Sequence, residues 1–120
     1  MEGIIVYKKA LSFAELEIKV MQLGNDYNIQ IEGGEVPHIG CSVLAVPRLS
    51  LKNDGTVSVT ASVINVTGHK DEVICRYLAE EVSRRKAAVV VCTGGFHMDA
   101  LRETQISEII EAVKEMAREI

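Results

Sequence analysis

The chain begins in period two. Ile4, Ile5, Val6 and Tyr7 are β-branched and aromatic residues that favour extended backbone, which predicts a first strand within Gly3 to Leu11. From Ala14 to Val20 the alternation is strict, with Ala14, Leu16, Ile18 and Val20 on one face and Glu15, Glu17 and Lys19 on the other. Beyond the turn residues Gly24-Asn25-Asp26, Tyr27, Ile29 and Ile31 alternate with Asn28, Gln30 and Glu32. Two such runs joined by a tight turn predict a hairpin with one wet face. Gly33-Gly34-Glu35-Val36-Pro37 then breaks the pattern. Val43 to Lys52 and Thr56 to Val66 read as two more strands about the turn Asn53-Asp54-Gly55. Pro47 points to an edge or a bulge in the first of them. The altered pattern at Ile64, Asn65 and Val66 suggests a register change near the end of the second.

The period then lengthens. Val73, Ile74, Tyr77, Leu78 and Val82 recur at helical spacing, with Asp71 and Glu72 at the positive start and Arg84, Arg85 and Lys86 in the last turn. Ala87 to Cys92 is an unbroken apolar run, which suits a strand covered on both faces. It opens into Gly94-Gly95-Phe96-His97-Met98-Asp99, where the glycines permit a sharp turn and a close approach of the backbone to a ligand. Thr104 is a candidate cap for a last helix whose Ile106, Ile109, Ile110, Val113, Met116, Ala117 and Ile120 form one apolar stripe. The expected order is βββββαβα: a mainly antiparallel sheet of about six strands with two helices packed on it, of the α+β class.

Composition narrows the function classes. At 120 residues, 48% hydrophobic and 25% charged, the chain reads as a single globular domain over residues 1–120. No run reaches the roughly 18 unbroken apolar residues of a membrane span, and Met1-Glu2-Gly3 lacks the basic stretch of a signal peptide. The expectation is a cytoplasmic protein without a membrane partner. A formal charge of -4 speaks against nucleic-acid binding, which needs a basic face. Cys41, Cys75 and Cys92 are odd in number and form no C-x-x-C pair, so they read as reduced thiols, Cys75 and Cys92 as small core residues. A thiol–imidazole pair of Cys41 with His38 is a weak alternative, for want of a third orienting group.

The candidate chemistry lies in the histidines. The chain has three, and each stands at a glycine-marked break: His38 before Gly40, His69 after Gly68, and His97 after Gly94 and Gly95. One shared pocket explains that placement. It has two competing uses. Gly68-His69 precedes a helix start, whose free N–H groups attract a phosphate or carboxylate; Gly94-Gly95 and the hydroxyls of Thr67, Thr93 or Ser42 offer further donors. The alternative is a metal held by His38, His69 and His97 with Asp99 or Asp71, although no pair has diagnostic spacing. His97-x-Asp99 and His69-x-Asp71 also suggest acid–base catalysis, but turn or cap roles are the favoured explanation of both aspartates, with Asp99 still placed to orient His97. Gly-x-Ser-x-Gly, a Walker loop and a complete dinucleotide fingerprint are all missing.

His38-Ile39-Gly40-x-Ser42, Gly68-His69-Lys70-Asp71 and Gly95-Phe96-His97-Met98-Asp99, in this order, resemble the small D-type proteins that accompany UbiD-like aromatic-acid decarboxylases. The D-type protein of gallate decarboxylase is the type member of that family, described as prenylated-flavin chaperones and similar in fold to proteasome assembly chaperones. The resemblance runs from about Ala14 to the C-terminus. It implies a non-catalytic homodimer that holds prenylated FMN, or FMN, and helps its maturation or delivery to a UbiD-like decarboxylase. The cofactor site implied comprises His38, Gly40, Ser42, Gly68, His69, Lys70, Gly94, Gly95, His97 and Asp99, with Gly68, Lys70 and the glycine pair nearest the phosphate. Two other readings stay open on the residues alone: a small metal- or histidine-dependent enzyme acting on a small acid, and an assembly protein without a ligand.

Overall fold

The computed structural model describes residues 3–52, 54–66 and 70–120. The strands are β1 (Ile4–Ala10), β2 (Glu15–Leu23), β3 (Asp26–Gly34), β4 (Cys41–Leu49), β5 (Val57–Asn65) and β6 (Val90–His97). Helix α1 (Lys70–Lys86) joins β5 to β6, and α2 (Glu103–Ala117) follows β6. Within the six-stranded sheet the order is β1-β2-β3-β6-β4-β5. The predicted hairpins form, as β2–β3 and β4–β5, and β1 pairs antiparallel with β2. The most apolar strand, β6, inserts at the centre, parallel to β3 and antiparallel to β4. One parallel pair in an otherwise antiparallel sheet leaves the class α+β, as expected.

Both helices lie on one face, because the alternation supplies one apolar face. Leu16, Ile18 and Val20 of β2, Ile29 and Ile31 of β3, Val43 and Ala45 of β4, and Val90 and Cys92 of β6 are buried. Against them pack Ile74, Leu78 and Val82 of α1 and Ile109, Val113 and Met116 of α2 in one continuous core. Helix α1 covers β4, β5 and β6, and α2 lies beside it. The end of β1 and the turn after it tie down α2: Lys9 of β1 pairs with Glu115, and the Ser12 N–H and hydroxyl donate to Glu108 at 2.7 and 2.6 Å. No helix among the described residues is long and apolar enough to cross a membrane.

Several local expectations are corrected. β4 is an interior strand despite Pro47, but its pairing with β6 stops at Ala45, so Pro47 has only β5 beside it and costs no ladder bond there. The β4–β5 register runs unchanged to Cys41↔Asn65, without a shift at Ile64. α2 begins at Glu103, not after a Thr104 cap, and the Gln105 side-chain oxygen accepts the Arg102 N–H at 2.9 Å. β6 has neighbours on both edges but, within this chain, cover on one face only, since Val91 and Thr93 are half-buried. The bare face also presents Ile4, Val6, Leu44, Val46 and Ile64, all exposed.

Candidate functional site

The end of β6 departs from a regular strand at its glycines. Gly94 has φ of +132°, and a Cβ there would lie 1.8 Å from the Ile31 carbonyl oxygen of β3. No side chain other than glycine's fits. Burial then stops alternating and runs through Gly94, Gly95 and Phe96 in succession. The Phe96 ring lies over Gly33 and meets the Phe13 ring edge-on, centroids 6.0 Å apart. Its N–H donates to Asp71 Oδ1 at 2.8 Å.

Asp71 is the second residue of α1, a place where an acid is ordinarily explained by the helix dipole. Here the carboxylate is nine-tenths buried and joins three segments. Oδ1 takes the Phe96 N–H, and Oδ2 lies 3.1 Å from His38 Nε2, in the coil between β3 and β4. Two glycines make the room. A Cβ on Gly40 would lie 1.9 Å from Oδ2, and one on Gly95 2.7 Å from the same atom. The backbone closes the arrangement, with the Gly40 N–H on the Gly94 carbonyl and the Val66 N–H on the Gly40 carbonyl, both at 2.9 Å.

The His38 ring packs edge-to-face on His97, centroids 5.5 Å apart and planes at 77°. His97 Nε2 lies 3.6 Å from Asp99 Oδ1, an exposed pair that contributes little energy. His38 Nδ1 is shielded from solvent and has no hydrogen-bond partner among the described residues. On the other side of Asp71, between the starts of α1 and α2, is a cavity of about 240 Å³. Its walls are Val73, Ile74, Phe96, Leu101, Ile106, Ile109 and Ile110, with Asp71 the single charged group among them.

Beneath the site lie the three cysteines, all fully buried. Burial pushes the Cys41 thiol up to about 12, with the Cys75 thiol and two carboxylates adding to it. The Cys75 thiol is raised by its hydrogen bond to Cys92 and by burial. Neither sulfur is a thiolate near neutral pH, which removes the Cys41–His38 pair as a nucleophile.

Of the residues singled out in the sequence, His38, Gly40, Gly94, Gly95 and His97 converge at this rim. Ser42 does not; it pairs in register with Thr93 and Ile64 on the bare sheet face. Asp99 is exposed behind His97. Gly68, His69 and the side chain of Lys70 lie outside the described residues, so the part of the expected shared pocket that rests on His69 does too. The imidazole that faces His97 is that of His38. Among the described residues no three His, Cys, Asp or Glu side chains gather as a metal site, and the set containing His69 falls outside them. Asp71, which in sequence reads first as a cap or turn residue, is instead the centre of the junction. Leu101, Ile106 and Ile110, which in sequence read only as core or coil, line the cavity beside it. The available signal was a pair of distant glycines whose missing side chains leave space for one carboxylate.

Comparisons place the chain. The family model for the prenylated flavin chaperone LpdD-like domain matches residues 12–120, and the chain belongs to that family. Comparison with curated proteins yields no match. Among solved structures, a chain from the crystal structure of a chaperone complex for yeast 20S proteasome assembly is similar, with a TM-score of 0.54 at 15% identity. The match covers 97% of this chain and 94% of that one. At that identity the likeness is one of fold.

Proposed function

We propose that this prenylated flavin chaperone LpdD-like protein binds a flavin, prenylated FMN or FMN, at the Asp71 rim and hands it to a UbiD-like decarboxylase, itself performing no chemistry on the substrate. The observation that supports this reading most is the juxtaposition of an apolar recess with a buried polar junction. The recess of about 240 Å³ is lined by Phe96, Ile74, Leu101 and Ile109. The junction beside it consists of Asp71, His38 and His97. Pockets for whole ligands of drug size span about 300–1,000 Å³, so the recess suits part of a flavin, its ring edge or the added prenyl carbons. The residues fit the group to that extent: apolar carbons would enter the recess, and polar ring atoms would reach His38 and His97 only across the rim, beyond the Asp71 carboxylate. Lys70, following Gly68-His69 at the start of α1, is the residue we assign to the phosphate.

The protein acts as a homodimer in this reading. β6 has the continuous apolar sequence of a strand covered twice, yet one face of it is bare in the single chain. Ile4, Val6, Leu44, Val46 and Ile64 extend that bare face, and a second copy laid on it would bury them.

Co-expression with a flavin prenyltransferase, followed by mass spectrometry of ligands retained by the purified protein, tests the reading. The expected result is a flavin near one equivalent, with Lys70→Ala weakening FMN far more than riboflavin, which lacks the phosphate. A colourless protein that fails to quench FMN fluorescence overturns it and leaves the reading of a ligand-free assembly protein. A stoichiometric metal in place of flavin would favour the enzyme reading.

A further inference from the structure

We propose that Asp71 fixes His38 as the Nε2–H tautomer, so that its Nδ1 is an acceptor reserved for an N–H donor on a flat heteroaromatic ligand. This rests on the flavin-binding reading and names what His38 recognises in it.

An ionised carboxylate only accepts hydrogen bonds, so the ring nitrogen facing it bears the proton. Asp71 Oδ2 is 3.1 Å from His38 Nε2, and Oδ1 is already occupied by the Phe96 N–H. Gly40 and Gly95 leave the carboxylate the room it occupies, since a Cβ on either would strike it. A neutral imidazole has one N–H, so Nδ1 then presents its lone pair. That atom is shielded and without a partner among the described residues. Buried acceptors are ordinarily satisfied, so an unsatisfied one calls for an explanation. His97 does not supply one, because its ring meets His38 edge-to-face at 5.5 Å. His38 also borders a second hollow, of about 220 Å³, together with Gln30, Glu32, Pro37 and Thr93. A lone pair repels phosphate and carboxylate oxygens and accepts a ring N–H. His38 therefore reads the ring, and the anion is left to other groups. In an isoalloxazine the imide N–H is the matching donor, because the oxidised and reduced rings both have it.

Two measurements on the full chain test the assignment. Long-range ¹H–¹⁵N correlation spectra of the ligand-free protein at neutral pH report the tautomer directly. The expected pattern for His38 is Nε2–H. In Asp71→Asn the amide oxygen can keep the Phe96 N–H while its NH₂ faces the imidazole, so the pattern should invert to Nδ1–H. A wild-type Nδ1–H or doubly protonated ring, or a folded Asp71→Asn with an unchanged spectrum, overturns the assignment.

The second measurement is FMN affinity by fluorescence titration. His38→Asn leaves an oxygen near the place of Nδ1, and His38→Gln a group near that of Nε2. We expect the Asn variant to stay within about threefold of wild type and the Gln variant to lose about tenfold or more, the scale of one hydrogen bond. Equal losses, or a Gln variant that binds better, refute the acceptor role. Should Asp71→Asn not fold, the wild-type spectrum and the Asn/Gln pair decide. Failure of the wild type to bind FMN overturns the proposed function and the ligand assignment together, while the spectrum still decides the Asp71–His38 relation by itself.

Discussion

Gly40→Ala should be among the most damaging single-methyl changes in this chain. A Cβ at residue 40 would lie 1.9 Å from Asp71 Oδ2, 2.8 Å from its carboxyl carbon and 3.1 Å from His38 Nε2. Gly40 is not in the left-handed region, so the cost comes from contact alone. The carboxylate cannot swing aside without loss, because Oδ1 holds the Phe96 N–H and Oδ2 faces His38 Nε2. Relief requires breaking at least one bond to a buried charge, worth about 1.5–3 kcal/mol, and leaving a buried N–H without a partner. A total of about 3 kcal/mol follows, or a fall in Tm of roughly 10 °C for a chain of this size. Urea and thermal unfolding would measure it. Gly24→Ala is the control: φ is +61° and a Cβ meets nothing, so only the left-handed backbone penalises alanine, by about 1–2 kcal/mol. The sharper test is a double-mutant cycle. In an Asp71→Ala background the obstructing oxygen is gone, so the added methyl should cost under about 1 kcal/mol. A Gly40→Ala no worse than Gly24→Ala, or a cost undiminished without the carboxylate, would refute the reasoning.

The Cys41 thiol, held by burial at about 12, stays protonated when its unfolded counterpart begins to ionise near the ordinary value of 9.0. A raised folded value means stability is intact below pH 9 and declines as pH rises from there towards 12, so unfolding free energies should fall across that window in wild type and less in Cys41→Ala. The bare sheet face should dimerise the chain at micromolar concentration, and Leu44→Lys with Val46→Lys should return it to monomer; light scattering that finds a monomeric wild type would end that idea.

Local chemistry was legible wherever neighbours in sequence decide it. Ala14 to Val20 could be read as a strand because residues two apart share a face, and Val73 to Val82 as a helix because residues three and four apart do. The hairpins followed from their turns. What could not be read was the position of β6. Its insertion between β3 and β4 depends on contacts between segments far apart, and hairpin logic has nothing to say about a strand that arrives last. The Pro47 reading failed as an edge assignment for the same reason, although the proline does sit where β6 has run out. At the site, the glycine-marked breaks led to His38 and His97, since chain reversals are where strand ends meet. Asp71 was hidden because a local rule, an acid in the first turn, already accounted for it. Its actual role depends on Gly40 and Gly95, which local reading treats as turn residues.

The site is also the place where the fold closes. Asp71 reaches back 33 residues to His38 and forward 25 to Phe96, so its two bonds join α1 to the entry of β4 and the exit of β6. Until β6 has inserted, neither the Phe96 N–H nor the Gly94 carbonyl that holds Gly40 is in place. A ligand that needs this rim therefore binds only the completed sheet, and whatever free energy it contributes stabilises the closed form selectively. At a hundredfold excess over its Kd that contribution is about 2.7 kcal/mol, comparable to the loss worked out above for Gly40→Ala. The linkage runs both ways. A partner that loosens the contact of α1 with β6 would weaken ligand binding by the same free energy, so release could be driven without any competing group entering the rim.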